Sequence, residues 1–178
     1  MQQLAVAMQN HFELFGLTPA YALEAAALER SYRDIQSRVH PDRFAHAGDA
    51  ERRASLQWTT RVNEAYHTLK DPVQRAKHLL DLNGVDVAFE TNTQMPSDFL
   101  RQQLELREEL EQAIHEKDAP GLDRMRERLR SQQQALGAQI AATIDDKKDY
   151  RGAADLVRKL MFLDRLDAEI DQAYEEVE

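Results

Sequence analysis

The chain has no cysteine among its 178 residues, which excludes disulfides, thiolate nucleophiles and metal sites with cysteine ligands. It also has no apolar run that approaches the ~20 residues needed to span a bilayer. The opening segment, residues 1–8, lacks the positive flank of a secretory signal. Together these absences favour a cytoplasmic protein without a membrane span or thiol chemistry.

The composition also lacks an excess of positive charge, because the net charge is −9. Residues 1–80 carry ten Lys and Arg against nine Asp and Glu, whereas residues 81–178 carry thirteen against twenty-three. This acidic balance argues against nucleic acid as a partner, since phosphate binding needs a basic face. The asymmetry between the halves instead indicates two domains with different partners.

Almost every segment has the apolar period of an α-helix, so the sequence predicts an all-α protein. In the segment Ala22 to Val39, one predicted buried face contains Leu28, Tyr32, Ile35 and Val39. A second seam, which makes an antiparallel partner for the first, contains Trp58, Val62, Ala65 and Leu69. Pro41 and Pro72 limit these helices, because the residue before a proline avoids helical geometry.

The rest of the chain is predicted to contain one short helix, a loop and three long helices. The short helix runs from about Pro72 to Leu82 and is interpreted as the joint between domains. The stretch Val85 to Pro96 has no sustained helical period and is predicted to be a loop. An antiparallel three-helix bundle is predicted from the long patterns, which are about Ser97 to Glu116, Asp118 to Ile144, and Tyr150 to Glu176.

The tripeptide His40-Pro41-Asp42 lies in the predicted loop between the paired helices. Proline restricts one backbone torsion, so the flanking imidazole and carboxylate are presented to a partner with little loss of freedom on binding. Three other interpretations stay open: a solvated turn, a metal site that adds His46, and an acid-base enzyme. No further metal ligand, nucleophile or phosphate-binding glycine loop accompanies these residues, however.

The helix before this loop exposes a basic strip opposite its apolar face. The strip comprises Arg30, Arg33 and Arg38 and is extended by Arg43. Such charges are either the solvated side of an amphipathic helix or a docking surface that steers a partner electrostatically. Three acidic side chains dilute the positive field: Glu29, Asp34 and Asp42.

A second candidate surface lies on the first bundle helix. Leu100 and Leu104 are rotated by about 100° to 140° from the apolar stripe of that helix and stand beside Glu108. On the third bundle helix, Phe162 is displaced from its stripe in the same way. Apolar groups rimmed by carboxylates suit a binding patch. A three-helix bundle buries wide faces, however, so both leucines could instead line the flank of the core.

Three stretches, in order and at workable spacing, resemble a J-domain. They are NHFELFGL at residues 10–17, the tripeptide at residues 40–42, and NEAYHTLKDP at residues 63–72. The resemblance implies a J-domain over residues 10–72 that contains a helical hairpin. It also implies that His40, Pro41 and Asp42 dock on a DnaK-type chaperone and trigger ATP hydrolysis, assisted by the basic strip.

Two further stretches, RAKHLL at residues 75–80 and LELREEL at residues 104–110, narrow the resemblance to HscB proteins, the J-type co-chaperones of iron–sulfur cluster assembly. This implies a joint helix and linker over residues 73–96 and a scaffold-binding three-helix bundle over residues 97–178. The implied partners are the scaffold IscU and HscA, a dedicated DnaK-type ATPase, with no cofactor or metal in the chain itself. The matching scaffold-binding positions are Leu100, Leu104, Glu105, Glu108 and Phe162, and Arg101 interrupts the patch.

Two other functions stay open. One is a J-protein whose bundle carries a client unrelated to iron–sulfur clusters. The other is a small helical metal-dependent hydrolase that uses His40, Asp42 and His46. The chain has no Gly/Phe-rich linker, which fits a specialised co-chaperone better than a general one.

Overall fold

The computed structural model describes residues 10–87 and 96–177, and every regular element in those ranges is helical. The chain divides into two compact units between Asn83 and Gly84. The predicted all-α class is therefore confirmed. The opening segment and most of the predicted loop from Val85 to Pro96 lie outside the described residues. None of the helices in the described ranges has the length and apolar character that a bilayer span requires.

The first unit opens with α1 (His11–Leu14), a single helical turn. The turn begins at Asn10, whose side chain accepts the Glu13 amide hydrogen at 2.9 Å and satisfies one of the amides that a helix start leaves unpaired. Gly16 follows with φ 65°, in the left-handed region that favours glycine, and ends the turn. Phe12 is fully buried and anchors α1 to the unit.

The predicted helical pair consists of α2 (Ala25–Val39) and α3 (Asp49–Lys70). Helix α2 begins three residues later than predicted, because Glu24 takes an extended backbone and occupies the N-cap position. Across the pair, the rings of Tyr32 and Tyr66 stack with centroids 4.0 Å apart. Such aromatic pairs contribute about 0.5–1.5 kcal/mol beyond the area that they bury.

Fewer residues of this helical pair are buried than its apolar pattern predicts. The predicted members that are buried are Leu28 on α2 and Val62, Ala65 and Leu69 on α3. The other predicted members are only half-buried: Tyr32, Ile35, Val39 and Trp58. The prediction of a fully buried seam is wrong at Trp58, because this end of α3 packs on the short turn Pro41–Phe44 and has less apolar surface to cover it.

Helix α4 (Pro72–Leu82) follows α3 directly. Asp71 ends α3, and its carboxylate accepts the Gln74 amide hydrogen at 2.7 Å, which caps α4. Pro72 is tolerated because a proline in the first turn removes an amide that lacks a helical partner anyway. The helix was interpreted from the sequence as a joint, and it lies on the first-unit side of the division. The predicted domain boundaries stay predictions.

The second unit contains the three predicted long helices, α5 (Ser97–His115), α6 (Ala119–Ala141) and α7 (Tyr150–Val177). Asp118 caps α6 as predicted, accepting the Gly121 amide hydrogen at 2.9 Å. A π-helical turn, Ala142–Asp146, continues α6 and buries Ile144. The core shared by the three helices includes Phe99, Leu106, Leu110, Leu122, Met125, Leu129, Phe162, Leu163, Leu166 and Ile170.

Candidate functional site

The tripeptide His40-Pro41-Asp42 forms an exposed corner where α2 ends. His40 leaves the helical region, with φ −57° and ψ 132°, and Pro41 opens a 3₁₀ turn over Pro41–Phe44. Inside the corner, the Asp42 amide donates its hydrogen to Nδ1 of His40 at 3.3 Å. Because Nδ1 accepts this hydrogen, the neutral imidazole carries its own hydrogen on Nε2. The corner therefore presents an imidazole donor and a carboxylate from one short turn.

The base of the corner is held by hydroxyl groups of α3. Ser55 donates to the carbonyl oxygen of Val39 at 2.6 Å, and Thr59 donates to the same oxygen at 3.2 Å. This carbonyl belongs to the last turn of α2, where helical partners are missing. Ser55 is 4% exposed, so water does not compete for its bond. These contacts fix the residue that immediately precedes His40.

Every arginine of the predicted basic strip is exposed and has a partner on its own segment. The contacts are Arg30 with Glu24 at 3.5 Å, Arg33 with Glu29 at 2.8 Å, Arg38 with Asp34 at 2.8 Å, and Arg43 with the Ser37 carbonyl at 3.0 Å. Exposed pairs of this kind contribute roughly 0–1 kcal/mol to stability. Their main effect is to weaken the positive field of the strip.

Glu29 also connects the strip to α3. The Tyr66 hydroxyl donates to its carboxylate at 2.5 Å. This hydrogen bond, together with the one from Arg33, lowers the pKa of Glu29, and the same Tyr66 contact raises the pKa of the Tyr66 hydroxyl. Glu29 therefore connects α2 to α3, whereas the sequence indicated only that it weakens the positive field of the strip.

The metal site considered from the sequence is not assembled in the described part of the chain. Nδ1 of His40 lies 3.6 Å from the Asp42 carboxylate. Over residues 10–87 and 96–177, however, no three His, Cys, Asp or Glu side chains gather into a group suited to a metal ion. His46 therefore does not complete a ligand set with this pair.

A stacked histidine pair, which sequence reasoning missed, lies in the first unit. The rings of His11 and His78 have centroids 4.3 Å apart, and the His11 amide donates to Nε2 of His78 at 3.3 Å. Burial, and secondarily His11, lowers the pKa of His78 to about 4. The pKa of His11 is lowered chiefly by burial and then by Arg61. Only the tertiary contact between α1 and α4 brings these residues together.

On the second unit, two predicted leucines form an exposed apolar patch on α5. Leu100 is 48% exposed and Leu104 is 59% exposed. They form one side of a notch of about 270 Å³ between α5 and α7, which is called the α5/α7 notch below. Its lining consists of Leu100, Gln103, Leu104, Arg107, Phe162 and Arg165. The alternative that both leucines only line the core is wrong, since about half of each is accessible.

Phe162 reaches this notch from the core rather than from the surface. It is 3% exposed and meets the Phe99 ring edge-on, with centroids 5.6 Å apart and an interplanar angle of 84°. The expectation of an exposed Phe162 beside the leucines is therefore wrong. Because α7 packs on both other helices, it buries more than the single stripe from which Phe162 was judged to be displaced.

The predicted acidic positions, Glu105 and Glu108, are exposed and do not line the notch. Arg101, which was expected to interrupt the patch, lies 3.2 Å from Asp98 and 3.8 Å from Glu105. Two arginines of the lining were missed. The spacing of Arg107, three residues after Leu104 and seven after Leu100, is a signal that could have identified it.

Relatives of the chain decide its family. It is 48% identical over 169 residues to the co-chaperone protein HscB homolog of Burkholderia thailandensis. The aligned residues cover 95% of this chain and 96% of the relative. The chain belongs to the HscB family of co-chaperones. The HscB homolog of Aromatoleum aromaticum is 45% identical over 170 residues, with 96% of both chains covered. A family model described as HSCB C-terminal oligomerisation domain matches residues 95–171.

Solved HscB structures share the fold. The chaperone HscB from Vibrio cholerae superposes with a TM-score of 0.81 at 35% identity, covering 96% of this chain and 100% of that chain. The human co-chaperone HscB gives a TM-score of 0.89 at 24% identity, with 96% and 84% covered, which is a likeness of fold. The predicted combination of an N-terminal J-domain and a C-terminal three-helix bundle is confirmed. The protein is a co-chaperone, and its relatives are not named as enzymes.

Proposed function

We propose that this HscB protein delivers an IscU-type iron–sulfur scaffold to the DnaK-type chaperone HscA and stimulates the chaperone's ATPase. The observation that carries the proposal is the exposed corner His40-Pro41-Asp42, whose base is held by Ser55 and Thr59. A corner that is rigid before binding loses little entropy when it docks. The chaperone-binding residues are His40, Pro41 and Asp42, supported by Arg30, Arg33, Arg38 and Arg43.

The scaffold binds, in this proposal, to the exposed patch on α5. Leu100 and Leu104 contribute accessible apolar area, and Phe162 provides the buried base of the α5/α7 notch. Glu105 and Glu108 contribute exposed carboxylates on α5, outside the lining of the notch. Exposed leucines beside a buried aromatic ring resemble the centre of a protein interface more than its rim. Holding the scaffold and the chaperone on one chain raises their effective concentration without any chemistry by the adaptor.

Steady-state ATP turnover by HscA, measured with and without scaffold, tests both parts. His40→Gln should abolish the stimulation of turnover, whereas His46→Gln, an exposed histidine six residues later, should retain it. Full stimulation by His40→Gln would overturn the chaperone-docking role. If the wild-type co-chaperone stimulates HscA but neither binds the scaffold nor raises turnover further with it, the client is not an iron–sulfur scaffold.

A further inference from the structure

The α5/α7 notch is apolar at its centre and cationic at its edge. Both of the ionisable residues that line it, Arg107 and Arg165, are arginines. This differs from the surrounding segment, since residues 81–178 carry thirteen Lys and Arg against twenty-three Asp and Glu. The notch thus brings two arginines together beside an apolar centre on an otherwise acidic bundle.

We propose that the notch selects an apolar side chain of the scaffold that is flanked by a carboxylate, with Arg107 and Arg165 receiving that carboxylate. The inference rests on the proposed binding of the scaffold to this patch and specifies the chemistry that the patch recognises. A segment without an acidic neighbour would fill the notch equally well but would leave both guanidinium groups without an anionic partner from the scaffold.

The notch is small, with a volume of about 270 Å³. Phe162 forms a firm base, because Phe99 packs edge-on against it within the buried core. Leu100 and Leu104 remain accessible at the mouth, where an incoming apolar group would remove them from water.

Arg107 lies on the side of α5 where an apolar side chain would enter. At about 100° per residue, Arg107 and Glu108 fall on opposite edges of the helical face that carries Leu100 and Leu104, whereas Glu105 falls on another face. Arg101 differs, because it already bridges Asp98 and Glu105 and does not line the notch. A partner carboxylate would therefore be attracted to one edge of the patch and repelled by the other, which sets its orientation.

The nearest acidic group to Arg107 does not use up its donors. The Glu169 carboxylate on α7 lies 3.9 Å from the Arg107 guanidinium, beyond hydrogen-bonding distance. A guanidinium carries five N–H donors in a planar fork that matches a carboxylate bidentately. An apolar side chain bound beside Arg107 would exclude water and lower the local dielectric constant. The ion pair between the guanidinium and a scaffold carboxylate would then be stronger.

Calorimetric titration with purified IscU-type scaffold, repeated over a range of salt concentrations, tests the inference. Arg107→Gln and Arg165→Gln should each weaken binding about 2- to 5-fold, as exposed ion pairs usually do. Reversal of both charges, by Arg107→Glu with Arg165→Glu, should weaken it at least ~10-fold and flatten its dependence on salt. At least one acid-to-Lys variant of the scaffold should restore binding to the reversed double variant.

Two matched controls separate recognition from bundle structure. Arg101→Gln should leave affinity unchanged, because its cation is paired away from the notch. Glu169→Gln should leave affinity unchanged or increase it, whereas a loss equal to that of Arg107→Gln would show that Arg107 acts only within the bundle. Unchanged affinity and salt dependence in the reversed double variant would overturn the inference. If Leu104→Ala also binds normally, the proposed scaffold site itself fails.

Discussion

Ser55 donates its hydroxyl hydrogen to the carbonyl oxygen of Val39 at 2.6 Å, and this bond joins the first half of α3 to the residue before the exposed corner at residues 40–42. The serine is almost completely buried. Because Pro41 prevents α2 from continuing, the Val39 carbonyl oxygen needs a hydrogen-bond donor from elsewhere in the fold. The position of His40 therefore depends on a residue fifteen positions away in sequence.

Removing this hydroxyl should disturb docking more than folding. We expect Ser55→Ala to cost about 1 kcal/mol, because Thr59 still donates to Val39, and to raise the co-chaperone concentration needed for half-maximal ATPase stimulation. Ser37→Ala, which removes an exposed bond within α2, is the matched control and should leave that concentration unchanged. Normal stimulation by Ser55→Ala at the same concentration would limit Ser55 to a structural role.

Trp58 and Leu69 should differ in their effect on stability. Trp58 is half-buried, with the Arg61 guanidinium 5.6 Å from its ring centroid, so we expect Trp58→Ala to cost about 1–2 kcal/mol. Leu69 is fully buried, and Leu69→Ala should cost about 2–5 kcal/mol. Urea unfolding followed by circular dichroism compares them. A His40→Gln variant as unstable as Leu69→Ala would contradict the separation of the proposed docking residues from the core.

The stacked pair His11 and His78 should make the first unit sensitive to acid. The pKa of His78 is about 4 in the folded state and about 6.5 in an unfolded chain, so the unfolded state binds protons first as the pH falls. The resulting stability is fully present above pH ~6.5 and is lost progressively toward pH ~4. We expect a loss on the order of 1–2 kcal/mol, because the ring is partly accessible and its charge is screened.

Melting temperatures measured between pH 7.5 and 4.5 check this expectation. His78→Phe should reduce the acid sensitivity, because no imidazole remains to be protonated against the His11 amide and ring. His115→Gln, which removes an exposed histidine from the other unit, should follow the wild-type profile. Equal pH profiles for wild type and His78→Phe would remove the histidine pair as the cause.

Leu104 and Phe162 should separate binding from stability. Leu104→Ala should weaken scaffold binding at least ~5-fold with less than about 0.5 kcal/mol lost in stability, because the side chain is exposed. Phe162→Ala should weaken binding and also cost about 3–5 kcal/mol, since the ring is buried against Phe99. Titration and thermal melts of both variants, with Leu110→Ala as a core control, distinguish these outcomes.

Helix boundaries were predictable because many of their signals are local. Asp118 caps the helix that follows it through a bond only three residues long in sequence, and prolines limit their helices through steric contact with adjacent residues. The predicted start of α2 was three residues too early. Glu24 precedes the helix in an extended conformation, and no side-chain hydrogen bond marks the boundary.

The sequence predicted which side of a helix faces inward better than it predicted how deeply each side chain is buried. Leu100 and Leu104 were correctly placed outside the core by their angle on α5, but the same argument failed for Phe162. A helical wheel reports direction, whereas burial depends on how many neighbouring helices cover that direction. The individual contacts of the arginines in the basic strip were likewise not predicted. The sequence indicated only that nearby carboxylates weaken the positive field of the strip.

By itself the sequence determined the all-helical class, the proline-limited corner at residues 40–42 and the family to which the chain belongs. These depend on local geometry and on motifs read in order along the chain. Tertiary structure alone decided that Ser55 holds the corner, that His11 meets His78, and that Arg107 and Arg165 border one apolar notch. Each of these joins residues far apart in sequence, and such contacts depend on how the helices pack.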